Sequence, residues 1–173
     1  MASLEEVSEY TLDEADRERL FALQRVCSVC WTTHDGWPVG VTHRYIHDRG
    51  RIWVTTSAQR HRVLALRRRP QSCVIISGDG TELGPDRTIT LKTTCTVHDD
   101  RETLEWFYRA FSKALHPDNE ARQQGLAAML DTPRRVVLEL TPVKIISYDG
   151  MKLAEAIARE GVTTLVEPQH GGQ

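Results

Sequence analysis

The residues in this sequence with the clearest capacity for chemistry lie in one run, Arg51-Ile52-Trp53-Val54-Thr55-Thr56-Ser57-Ala58-Gln59-Arg60-His61-Arg62. It reads as a strand that ends in hydroxyl residues and passes into a helix with two arginines in its first turn. A helix start leaves backbone N–H groups unpaired and carries the positive end of the helix dipole. Hydroxyl donors from Thr55, Thr56 and Ser57 would meet the guanidinium forks of Arg60 and Arg62 there, a combination suited to a phosphate. A Ser57 N-cap followed by a solvated basic face produces the same pattern. The residue types alone leave both readings open.

Other reactive residues offer less. Cys27-Ser28-Val29-Cys30 has the spacing of a metal or redox pair, but it falls in a segment that reads as a strand, where residues three apart face opposite ways. No second C-x-x-C completes a zinc site, so no metal is expected, and Cys27, Cys30, Cys73 and Cys95 read as small reduced core residues. No Ser-His-Asp or Cys-His arrangement stands out, which leaves the catalytic residue unknown. His43 is a weak candidate as a proton donor, against the plainer reading of a satisfied, partly buried histidine. Trp31, Trp37 and Trp53 have the surface to stack on a ring, but read first as core or interface packing.

Composition narrows the partners. A chain of 173 residues suits one domain with a sizeable core. Its net charge of −2 gives no global attraction to nucleic acid or an anionic membrane. Arg67-Arg68-Arg69 opposes the negative end of the helix dipole and has no interleaved aromatics, so it reads as structural. No stretch approaches the roughly 20 apolar residues of a membrane span. The acidic start, Met1-Ala2-Ser3-Leu4-Glu5-Glu6, lacks a signal peptide's basic and apolar segments, and a cytoplasmic location is expected.

The elements that must position these residues follow from periodicity. Residues 1–10 are expected to be flexible. Thr11 with Glu14 makes a capping box, and Leu12, Ala15, Leu20 and Leu23 suggest a helix to about residue 24. Segments 25–33, 38–46 and 51–56, separated by His34-Asp35-Gly36-Trp37 and His47-Asp48-Arg49-Gly50, predict an antiparallel three-strand meander. Residues 58–68 form the basic helix, with Val63 and Leu66 inward and Leu64 beside them, and Pro70 lies beyond its end. Strands follow at 71–77 and 87–98, the latter with Ile89, Leu91 and Thr93 on one face. Asp99-Asp100 cap a helix bearing Leu104, Phe107, Tyr108 and Phe111, and 119–130 is a further helix. Strands at 134–140 and 143–148 are separated by Pro142. A short amphipathic helix occupies 151–159, and the tail from Pro168 is expected to be disordered. The domain layout is thus one domain over 11–150, with 151–173 as helix and tail. Six or seven mostly sequential antiparallel strands with inserted helices, an α+β pattern, suit a closed or split β-barrel, which removes edges.

The order of these motifs resembles the pyridoxamine 5′-phosphate oxidase-like superfamily, the flavin and deazaflavin split barrels. Four pieces carry the resemblance: Asp35-Gly36-Trp37-Pro38; Gly50-Arg51-Ile52-Trp53-Val54-Thr55-Thr56; Arg60-His61-Arg62-Val63-Leu64-Ala65-Leu66-Arg67-Arg68-Arg69-Pro70; and Pro142-Val143-Lys144-Ile145-Ile146-Ser147-Tyr148. They span roughly residues 18–150. The resemblance implies an FMN-binding type of split barrel and a homodimer with cofactor sites at its interface. It also implies that Thr55 or Thr56, Arg60 and Arg62, with Ser57 nearby, hold the cofactor phosphate, and that segment 39–44, with Val41, Thr42 and Arg44, lines the ring. Arg62 stands where the family usually has lysine, which keeps the charge and adds a fork. Ala65 stands where asparagine is frequent. The true pyridoxamine-phosphate oxidases have a C-terminal stretch with a tryptophan and an arginine-leucine-x-proline ending that this sequence lacks, so the vitamin substrate is not expected. FMN is the first expectation for the cofactor and the deazaflavin F(420) the alternative. Arg44, Arg67 and Arg68 are candidates for F(420)'s longer anionic tail. Haem is a third option, with His43, His47, His61 or His98 as axial ligand. The function these imply is an oxidoreductase acting on a small molecule, or a non-catalytic cofactor-binding protein.

Overall fold

The computed structural model of the protein describes residues 7–159. Among them, seven strands form one antiparallel sheet in the order β2-β1-β5-β6-β7-β4-β3. The strands are β1 (Val26–Thr32), β2 (Pro38–Arg44), β3 (Ile46–Asp48), β4 (Arg51–Ser57), β5 (Gln71–Ser77), β6 (Arg87–His98) and β7 (Arg135–Asp149). The helices are α1 (Glu14–Leu23), α2 (His61–Arg68), α3 (Arg101–Leu115), α4 (Glu120–Leu130) and α5 (Gly150–Arg159). None of them is long and apolar enough to cross a membrane.

The sheet is curled shut by its own covalent path. β2 and β3 are its two edges, yet only Tyr45 separates them in the chain. Two Cα steps cover at most about 7 Å, so opposite edges of a seven-stranded sheet must meet there. This is the split barrel that the strand pattern predicts.

Alternation fills the interior. Ile52 and Val54 of β4, Val74 and Ile76 of β5, Ile89 and Leu91 of β6, and Leu138 and Leu140 of β7 are all fully enclosed. Each such side chain contributes about 1.5–3 kcal/mol through burial. Leu20 and Phe21 of α1 enter this core from the end where β1 begins, and Val63 and Leu66 of α2 from the end where β1 and β4 finish. Outside the barrel, α3 and α4 cover Ile46, Trp53 and Val137 through Leu104, Phe107, Phe111 and Leu130.

Several expectations change. Thr11 does not cap α1; Asp13 does, accepting from the Asp16 N–H at 2.8 Å, because an aspartate one residue before the helix outcompetes the more distant threonine. Within the segment expected to be flexible, Val7–Glu9 form a 3-10 turn and Tyr10 is buried, its carbonyl accepting from Asp149 N–H at 2.8 Å. Residues 1–6 and the tail from Pro168 lie outside the described residues. The three-strand meander is broken: β2 pairs with β1, whereas the third strand, β4, pairs with the short β3 on one side and β7 on the other. Pro142 does not end a strand. β7 runs through it with a register shift opposite Lys92/Thr93, where Val143 is the extra residue of a bulge. Pairing with β4 stops at Leu140, so Pro142 has a ladder on one side only, the edge position a strand proline tolerates.

Candidate functional site

The barrel is split between β2 and β4. β3 pairs with β4 as Ile46↔Trp53, His47↔Ile52 and Asp48↔Arg51. Carried backwards, that register would set Arg44 against Thr55, His43 against Thr56 and Thr42 against Ser57. None of these pairs forms, because past Tyr45 the chain pairs with β1 instead, as His43↔Cys27 and Val41↔Val29. Val54–Ser57 of β4 and the outer edge of β2 therefore present unpaired backbone groups to one another across a cleft. Side-chain direction follows from the pairing. Val41, His43 and Thr56 share the inner face with the core residues Val29, Cys27 and Val136, whereas Thr42, Arg44, Thr55 and Ser57 share the outer face.

Helix α2 starts at the top of this cleft, three residues later than the sequence suggests. Ala58 N–H still extends the sheet by donating to Arg134 O at 2.7 Å, and a turn closed by Arg60 N–H to Ser57 O at 3.1 Å precedes the helix. The N-cap is Arg60, not Ser57, and its side chain makes no capping bond. Arg62, at the second helical position, donates from an Nη to Thr56 Oγ1 at 2.8 Å. Its Nε is enclosed without a partner, as is Nε2 of His43. Burial, then the Arg60 guanidinium, hold Arg62 below the ordinary arginine range. Burial, then Arg62, push the His43 imidazole down to about 4. Among the described residues neither Arg60 nor Arg62 makes an ion pair. Arg60 acts on Arg62 and Arg62 on the neutral His43 imidazole, and among the described residues no carboxylate pairs with either guanidinium.

The sequence-selected residues fall on both lips of this cleft. Arg62 is bonded to Thr56 and bears electrostatically on His43, and Val41 lies on the same face as His43. Thr55 is turned away: its hydroxyl donates to Val136 O at 2.8 Å, so its proton is committed. Ser57, Thr42 and Arg44 line the outer lip. Thr56 and Arg62 fit an anion, the Arg62 Nε is a donor in want of an acceptor, and the enclosed Nε2 of His43 has no hydrogen-bond partner. The triple-arginine run serves the fold: Arg67 pairs with Asp99 at 2.9 Å and Arg69 donates to Thr32 O at 3.1 Å. A cavity of about 430 Å³ between α2, α3 and the start of β7 is lined by Ala58 and by Arg67 and Arg101 with their partners Asp99 and Asp131. The two thiols of the C-x-x-C segment face opposite sides, Cys27 in the core and Cys30 above Gly40, where a Cβ would come within 2.8 Å of its Sγ. A buried carboxylate that the sequence did not single out, Glu139, holds His98 at 2.6 Å and Arg51 at 2.8 Å. It braces β4, β6 and β7 on the outer face.

The His43 environment carries a stability prediction. Its imidazole titrates near its ordinary value of 6.5 when unfolded and near 4 when folded, so below pH 6.5 the unfolded chain binds the extra proton and stability falls. Urea unfolding of the protein without added ligand is expected to show a loss from pH 6.5 towards pH 4 that His43→Gln reduces. An unchanged pH slope in the variant would contradict the assignment.

Comparison with known proteins places this geometry. No curated protein matches the sequence. Similar solved folds include the conserved hypothetical protein Rv2991 from Mycobacterium tuberculosis, 18% identical with a TM-score of 0.74 over 95% of this chain and 96% of that one. An F(420) reductase is 15% identical with a TM-score of 0.56 over 75% and 94%. HutZ, the haem storage protein from Vibrio cholerae, is 14% identical with a TM-score of 0.59 over 78% and 94%. At these identities the likeness is one of fold. The family model described as pyridoxamine 5′-phosphate oxidase matches residues 12–149, from the residue before the α1 cap to the end of β7. That match covers the barrel, its cleft and both end helices, and the chain belongs to the pyridoxamine 5′-phosphate oxidase family.

Proposed function

We propose that this chain is a flavin-type oxidoreductase that binds FMN, or in its place F(420), by the phosphate in the cleft between β2 and β4, and serves redox exchange with a small molecule. The observation that carries this reading is the uncompensated Arg60–Arg62 pair, with Thr56 and two orphaned nitrogens, set between free backbone edges. Arg60 and Arg62 would hold the phosphate, while the free edge of β2 around Val41 and Thr42 would meet the ring's polar rim. A bound flavin supplies hydride or electron transfer; the protein supplies binding, orientation and electrostatics. Arg44, Thr55 and Ser57 belong to the outer lip of the same cleft.

A second copy of the chain suits the rest of the surface. α3 and α4 cover the outer face beside β3, β4 and the first half of β7. Across β5, β6 and the second half of β7 the outer face bears exposed Ile75, Ile146 and Tyr148, aligned through Thr90 and Thr88. Contiguous exposed apolar strips of this kind mark association surfaces, and a homodimer would cover it. Of the four histidines considered for haem, His98 is bonded to Glu139, His47 is stacked on Phe21 with ring centroids 4.2 Å apart and His61 is exposed, which leaves His43, with its unpartnered Nε2, for that role.

The test is a titration of the purified chain with FMN and with riboflavin, which lacks the phosphate. FMN is expected to bind at least about a hundredfold more tightly, since two charged hydrogen bonds are worth about 1.5–3 kcal/mol each. Equal affinity for the two would place the phosphate elsewhere. A Soret band in place of flavin or deazaflavin absorption would replace this reading with the haem one.

A further inference from the structure

His43 reads from sequence as, at most, a proton donor to substrate. Its surroundings point to a different role. The ring lies on the inner face of β2, opposite Cys27 of β1. Arg62 of α2 is the charge that bears on it. The Cys27 thiol, pushed up to about 12 by burial, is uncharged near neutrality, and Arg44, next in sequence, projects to the other face. The charge that bears on the imidazole is therefore positive, and its enclosed Nε2 has no hydrogen-bond partner among the described residues. The Arg62 Nε is orphaned beside the same cleft. Enclosed donors without partners are costly and persist where something else completes them.

We infer that His43 is the proton-gated member of the phosphate cradle: a phosphate bound at Arg62 draws a proton from solvent onto the imidazole, which then serves as a further cationic donor to that anion. The inference rests on the phosphate reading proposed above. Without an anion the ring stays neutral, because burial disfavours its charged form and protonation would set a second positive charge beside Arg62. A phosphate dianion reverses the sign of that local field. An opposite charge at about 4–6 Å raises the pKa of a cationic acid by about 1–3 units. For a rise of about two units from a starting value of about 4, the ring takes up most of a proton on binding at pH 5 and little at pH 7. The anion's affinity then gains about tenfold between those pH values, relative to a side chain that cannot titrate.

Two measurements on the full chain test this. In the first, the His43 imidazole is titrated by NMR with and without saturating inorganic phosphate; the expected result is a rise of about 1–3 units. In the second, FMN affinity is measured at pH 5 and pH 7 for the unsubstituted chain and for His43→Gln. The ratio between the two proteins cancels the phosphate's own ionisation near pH 6, and it is expected to grow about tenfold from pH 7 to pH 5. A ring unmoved by phosphate, with a ratio independent of pH, overturns the inference. If FMN binding is lost in Arg62→Ala while His43 does not respond, the phosphate reading stands and the gate falls. If inorganic phosphate moves His43 but neither FMN nor F(420) binds, the gate stands and the cofactor reading falls.

Discussion

Replacing Arg60 and Arg62 together by alanine is expected to weaken FMN binding by about a hundredfold to ten-thousandfold, since the pair supplies at least two charge-assisted hydrogen bonds at about 1.5–3 kcal/mol each. The two positions are not equivalent. Arg60 is an exposed N-cap residue with no internal partner, so Arg60→Ala removes charge from the cleft and leaves the fold intact. Arg62 is half-buried and satisfies Thr56, so Arg62→Ala also leaves an enclosed hydroxyl short of a donor and lifts one of the causes that hold His43 neutral. Arg62→Lys separates charge from geometry, because lysine keeps the charge without the fork. The expected order of FMN affinity is the unsubstituted chain, then Arg62→Lys, then Arg60→Ala, then Arg62→Ala, with the double variant weakest. Fluorescence titration with FMN gives the order directly, and riboflavin binding should be nearly the same in all five. A double variant that binds FMN as tightly as the unsubstituted chain would remove the phosphate from this cleft.

Much of this cleft was legible in the sequence, and the reasons are local. The hydroxyl-rich strand end and the two arginines are neighbours in the chain, so their convergence needs no tertiary information. Strands β5 and β6 were equally legible at 71–77 and 87–98, since turn residues bound one and strict alternation of Ile89, Leu91 and Thr93 marks the other. Pairing was not legible. β4 finds its partner in β7, with Thr56 opposite Val136, and nothing local in 51–57 announces that choice. The same blindness hid which threonine matters. Thr55 and Thr56 are identical in type and adjacent, and only the face on which Val54 and Ile52 are buried makes Thr56 the inner one. His43 was visible as a residue but not as a neighbour of Arg62, because their proximity depends on the edge-to-edge closure at Tyr45.

That closure predicts the largest stability effect outside the site. Tyr45 is the single residue between the two sheet edges and is 1% exposed, packed in the barrel core, with its hydroxyl donating to Phe21 O at 3.4 Å. Removing a buried aromatic ring costs about 3–5 kcal/mol, and Tyr45→Ala is expected to fall in that range, a drop in Tm on the order of 10 °C for a chain of this size. Tyr45→Phe should cost no more than about 1 kcal/mol, because a hydrogen bond of that length contributes little. Urea unfolding of the two variants separates packing from hydrogen bonding. If phenylalanine proves as costly as alanine, the Phe21 contact carries the closure and the ring does not. The chain swings from one edge to the other at this residue, so losing the ring is expected to change the spacing of β2 and β4. At temperatures where Tyr45→Ala remains folded, its FMN affinity should therefore fall well below that of Tyr45→Phe. A Tyr45→Ala protein that is destabilised yet binds FMN normally would show that the cleft keeps its width by other means.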